Sequence, residues 1–97
     1  MAKNVVVEAF KSEGFEVGQS GGGCEWMTRP WGQGDGYLAL TDEGGVDYPT
    51  AWDTPAMLGF YADGEDEGKI FRASTAEIYW LIVTYGPWIF PYDGNPR

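Results

Sequence analysis

Histidine is absent from this chain, cysteine occurs once, and between Arg29 and Lys69 there is no basic residue at all. Each gap closes off a kind of chemistry. Without histidine there is no Ser-His or Cys-His nucleophile pair and no imidazole metal ligand. The lone Cys24 permits neither an intrachain disulfide nor a thiolate cluster, which fits a reducing compartment. Long apolar runs are missing too. The longest, Ile78 to Val83, has six residues, far short of the roughly 20 that cross a bilayer as a helix. The opening Met1-Ala2-Lys3-Asn4 turns polar at once and lacks the apolar run of a secretory signal. A cytoplasmic location without membrane association is therefore expected.

Negative charge fills the gap between Arg29 and Lys69: Asp35, Asp42, Glu43, Asp47, Asp53, Asp63, Glu65, Asp66 and Glu67. On either side acids and bases nearly cancel, so the formal net charge of −9 sits in the middle of the chain. Such a field repels nucleic acid and anionic membrane and attracts basic protein surfaces. A disordered acidic tail is excluded, because 43% of the residues are hydrophobic, with five Trp, six Tyr and five Phe. A length of 97 residues makes one domain, with room for a single core but not for two lobes and a deep cleft.

Val5, Val6, Ala9 and Phe10 share a face at helical spacing, with Asn4 at the N-cap position. Gly14 followed by Phe15 offers a Schellman ending in which Phe15 touches Phe10. These signals predict a helix over 5–13. Gly18 to Gly23 is glycine-rich and reads as a linker or mobile loop. Cys24–Thr28, Tyr37–Thr41 and Ala56–Ala62 read as strands, and Lys69–Ala73 as a shorter fourth. In the second of these, Leu38 and Leu40 lie on one face and Tyr37, Ala39 and Thr41 on the other. Val46 to Pro55, with two prolines and the acids Asp47 and Asp53, is expected to be an ordered surface loop pinned by Tyr48 and Trp52.

Ile78 to Val83 is rich in strand formers and, as a strand, would pair with Trp88 to Tyr92 through the Gly86-Pro87 turn. Ser74 and Glu77 at capping-box spacing, with Gly86-Pro87 as terminator, favour a helix. Its apolar residues point in all directions, so Trp80 and Leu81 are expected to be buried within the chain, and a monomer is preferred over a homodimer. The expected fold is thus a small α+β domain covering 1–97. It has an N-terminal helix, a three- to four-stranded antiparallel sheet and a C-terminal apolar helix, or a β-hairpin in its place.

Motifs for chemistry are weak. Asp63, Glu65, Glu67 and Gly68 look like the start of a calcium loop, but Ser74 stands where the bidentate glutamate should be, so a solvated turn is expected and no metal site is assigned. Gly21-Gly22-Gly23 lacks the ending of a phosphate loop, and Gly32, Gly34 and Gly36 lack the following helix of a dinucleotide fingerprint. Carboxylate pairs suited to glycoside hydrolysis arise by chance among 15 acids. No enzyme activity, catalytic residue or cofactor is therefore expected.

The reading that remains is an acidic interaction protein that docks on a basic surface of a protein partner and blocks it. A nucleic-acid-binding protein is the partner expected, with no direct contact to nucleic acid. The docking residues assigned are Asp35, Asp42, Glu43, Asp47, Trp52, Asp53, Asp63, Glu65, Asp66 and Glu67. Acids two apart on a strand lie about 6.6 Å apart, near twice the 3.4 Å rise of DNA phosphates, which makes nucleic-acid mimicry the physical rationale. In size and charge the chain resembles phage accessory proteins that inhibit host restriction or CRISPR machinery. The alternative is a small-ligand or carbohydrate-binding module in which Trp31, Tyr48 and Trp52 form a stacking platform.

Overall fold

The computed structural model of the chain describes residues 4–32, 34–64 and 68–86. Helix α1 (Val5–Ser12) starts at Asn4, whose Oδ1 accepts the Val7 N–H at 3.0 Å while its Nδ2 donates to the Thr50 carbonyl at 3.0 Å. One side chain thus caps the helix and ties it to a distant loop. At the other end Phe15 N–H reaches the Phe10 carbonyl and Gly14 N–H the Lys11 carbonyl, with Gly14 at φ +95°. This is the Schellman pattern, and the Phe10 and Phe15 rings meet edge to face at 5.6 Å.

Five strands follow: β1 (Glu16–Gly21), β2 (Cys24–Pro30), β3 (Tyr37–Asp42), β4 (Pro55–Tyr61) and β5 (Lys69–Ser74), and the chain then enters α2 (Thr75–Tyr85). The strands form one antiparallel meander in sequence order. The sheet thus has one strand more than the sequence predicts, because the glycine-rich stretch taken for a linker is β1 and its hairpin turn. Gly21, Gly22 and Gly23 all take positive φ, where other residues are strained, so their composition builds the turn rather than a tether.

Met27, Leu38, Leu40, Leu58 and Phe60 point to one face of the sheet, and Val6, Val7 and Phe10 of α1 with Ile78 and Ile82 of α2 close over them. The α2 N-terminus is fixed by the Ser74 hydroxyl, which accepts the Glu77 N–H at 3.2 Å, as the capping spacing predicts. Its remaining early donors are taken up by the β3–β4 loop: Thr75 N–H and Oγ1 both donate to the Thr54 carbonyl at 2.9 Å, and Ala76 N–H donates to the Trp52 carbonyl at 3.0 Å. Tyr48 and Trp52 do pin that loop, since both pack against the core.

Burial on α2 differs from the expectation. Leu81 is half-buried against the core, but Trp80 is 58% exposed, and Val83 and Tyr85 also face outward. The helix lies across one face of a sheet only five strands wide, so only its Ile78 and Ile82 side is enclosed. The alternative hairpin partner, Trp88 to Tyr92, lies outside the described residues.

Candidate binding surface

Both described helices pack on one face of the sheet, and aromatic rings lie on the other. Their placement depends on missing side chains. Gly18 stands opposite Trp26 in the β1–β2 ladder, and a methyl group there would sit 3.7 Å from the indole Nε1. At Gly59 a methyl would come within 2.6 Å of Cε2 of Tyr61, and at Gly68 it would run into the same ring. Tyr61 therefore lies flat across β4 toward β5, in space that any larger residue would fill.

Tyr37 is directly opposite Tyr61 in the β3–β4 register, and the two rings stack with centroids 4.9 Å apart and planes 14° from parallel. Trp26 meets Tyr37 edge to face at 5.9 Å and 65°. The strip Trp26–Tyr37–Tyr61 thus crosses three strands, with the small residues Ala39 and Gly59 buried among them. All three rings keep part of their surface in solvent. Beside Trp26 and Tyr37 lies a shallow depression of about 430 Å³, lined also by Thr28 and Pro30 of β2 and by Glu16 and Asp35.

The acids assigned from sequence do not converge. Asp42, Glu43, Asp47 and Asp53 lie at the end of the sheet where β3 runs into its loop to β4, whereas Asp35 and Asp63 lie at the opposite end. The length of β3, about 17 Å at the usual strand rise, separates the two groups. At the second end the Asp63 carboxylate lies against Gly34, so the β2–β3 and β4–β5 connections touch. Residues 65–67 lie outside the described residues.

Two of these acids shape the backbone around them. Asp42 Oδ1 accepts the Val46 N–H at 3.2 Å, Asp47 Oδ1 accepts the Tyr48 N–H at 2.9 Å, and Asp42 N–H donates to the Asp47 carbonyl at 2.7 Å. Among the described residues each of β1, β2 and β3 carries one acid (Glu16, Glu25 and Asp42), and β4 and β5 carry none. No strand therefore presents the row of carboxylates that a phosphate track requires.

The three rings expected to form an aromatic platform, Trp31, Tyr48 and Trp52, pack against the core. Trp52 packs against Phe10 at 6.1 Å and Tyr79 at 5.1 Å, Trp31 against Phe60 at 5.3 Å, and Tyr48 against the same core. These three residues lie on the covered side of the sheet, and each keeps part of its surface in solvent. Trp26, Tyr37 and Tyr61 are the rings gathered on the open face. A local signal was present in Gly59, two residues before Tyr61 on the same strand face, which vacates the space the ring fills.

Comparison of the chain with protein-family models, with curated proteins and with solved structures gave no match.

Proposed function

We propose that the chain is a non-enzymatic docking module that uses the helix-free face of its sheet against a basic surface of a protein partner. The aromatic strip Trp26–Tyr37–Tyr61 carries this reading. Half-buried rings, two of them seated beside glycines, with acids at both ends of the sheet, have the composition of an interface, with an aromatic centre and a charged rim. The net charge of −9 steers a basic partner toward it. A nucleic-acid-binding protein has a surface of the required sign, and occupation of that surface would inhibit it. The single cysteine fits a cytoplasmic setting. Among the described residues no helix is long and apolar enough to cross a membrane.

The test compares two variants in affinity capture from host lysate. Tyr37→Ser with Tyr61→Ser removes the aromatic centre, while Glu43→Gln with Asp53→Asn lowers the charge at one end and spares the carboxylates that hold the loop. The first should abolish capture of the specific partner. The second should leave capture in place while reducing its sensitivity to salt. Undiminished capture by the tyrosine variant, with its fold verified by circular dichroism, would overturn the reading. A neutral polyol stacked on the same rings is the second reading, favoured by the shallow depression beside Trp26 and Tyr37.

A further inference from the structure

We propose that the depression beside Trp26 and Tyr37 is a receptor for one arginine side chain of the partner. This rests on the docking reading and names the group that the face would recognise.

The corner between the two rings supplies the first element. Trp26 and Tyr37 meet at 65° with centroids 5.9 Å apart, and both rings line the recess. Aromatic faces carry the negative part of the ring quadrupole and attract cations, most strongly when the cation is planar and can lie along the ring. Glu16, at the start of β1, and Asp35, in the β2–β3 connection, supply the second element: both are exposed carboxylates that line the recess. Thr28, also in the lining, has a hydroxyl that can accept or donate a hydrogen bond.

The one cation in the lining, Arg29, is directed elsewhere. Its Cδ and Nε lie 3.8 and 3.9 Å from where a Gly14 methyl would stand, beside the end of α1 on the covered side of the sheet. Its place opposite the buried Leu38 in the β2–β3 register puts it on the face of the sheet away from Trp26 and Tyr37. A guanidinium has the matching properties: it is flat, permanently charged, weakly hydrated, and able to give two parallel hydrogen bonds to a carboxylate while its face rests on a ring. An ammonium satisfies the charge but neither the stacking nor the fork. A volume of about 430 Å³ that is open on one side suits a side chain entering from a partner's surface.

The experiment is a nitrogen-15 NMR titration of the whole chain with the blocked tripeptide acetyl-Gly-Arg-Gly-amide. Parallel titrations use the lysine and citrulline tripeptides and methyl glucoside. Expected are saturating shifts at the Trp26 indole N–H and at the amides of Gly34, Gly36 and Tyr37, with the lysine peptide at least about fivefold weaker and no response to citrulline. Glu16→Gln with Asp35→Asn should weaken the arginine response by a similar factor while leaving the remaining spectrum unchanged. Both positions are exposed, so this variant should fold as the parent does. Equal responses to lysine and arginine, shifts centred on the far end of the sheet, or no saturable response to arginine would each overturn the receptor. A response to methyl glucoside and not to arginine would replace it with the polyol reading. If the receptor fails while partner capture still depends on Tyr37 and Tyr61, the docking face stands and only its arginine specificity falls.

Discussion

On the helix-covered face of the sheet Met27, Leu40 and Leu58 are fully shielded from solvent, whereas one residue away along the same strands Trp26 and Met57 on the open face keep part of their surface in water. The covered face is enclosed by other elements: α1, α2 and the β3–β4 loop supply Phe10, Ile78, Ile82 and Trp52. The open face is enclosed by its own rings, laid over Gly18, Gly59 and Gly68. Aliphatic side chains meeting across layers give stability through burial, while rings lying along a sheet hide small neighbours and still present a flat aromatic surface outward. One face therefore commits its large side chains to folding, and the other leaves part of theirs in solvent, where the proposed docking would use them.

The largest effect should come from the covered face. Phe10 is fully buried and touches the rings of Phe15, Trp52 and Tyr79. Phe10→Ala should cost about 3–5 kcal/mol, read from the midpoint of urea unfolding. A cost under about 1 kcal/mol would mean that α1 is not part of the structural layer and that the contrast between the faces is misdrawn.

A smaller effect with a sharper signature is expected across the sheet. Gly59→Ala places a methyl 2.6 Å from Tyr61 and 3.2 Å from Ile70 Cδ1, so the Tyr61 ring must leave its seat. Overpacking of this kind costs about 1–3 kcal/mol. In a Tyr61→Leu background the same substitution should cost much less, because the branched side chain does not extend over position 59. Equal costs in both backgrounds, measured as a double-mutant cycle, would show that the glycine does not serve the ring.

How much of this was legible in the sequence follows from where the signals lie. Both ends of α1 and the start of α2 were written in adjacent residues: Asn4, Gly14-Phe15, and Ser74 with Glu77. Strands β2 to β5 were bounded by turn residues, and the alternation of Leu38 and Leu40 against Tyr37, Ala39 and Thr41 correctly separated the faces of β3. Strand β1 was hidden because its glycines look like a flexible connection until Trp26, eight residues after Gly18, is known to lie opposite. The aromatic strip was hidden for the same reason, since Trp26, Tyr37 and Tyr61 come together only through strand pairing. Trp52 stands beside Asp53 and Trp31 four residues before Asp35, yet that proximity in the sequence said nothing about which side of the sheet they lie on.

The tether that holds the cover in place should be worth less than the core beneath it. Asn4 both caps α1 and bonds the Thr50 carbonyl. Asn4→Ala removes two hydrogen bonds at an exposed site and should cost about 1–2 kcal/mol. Asn4→Asp keeps the cap and loses the donor to Thr50, so it should fall between Ala and the parent. If Asp and Ala were equally destabilising, the bond to the loop would account for the whole effect and capping for none.

The smallest change is expected on the outer side of α2, where a third surface competes with the open sheet for the role of docking face. Trp80 is 58% exposed and meets Tyr85 edge to face at 6.4 Å, with Val83 half exposed nearby. Alanine is the better helix former, which offsets part of the ring packing that the substitution removes, so Trp80→Ala should cost less than about 1 kcal/mol. The unfolding midpoint should also be independent of protein concentration in both proteins. A larger loss, or a parent midpoint that rises with concentration while the variant's does not, would mean that this side of α2 is covered by another copy of the chain. The contrast would then run between a self-association surface on α2 and a partner surface on the sheet, and only the second could be saturated by an arginine peptide.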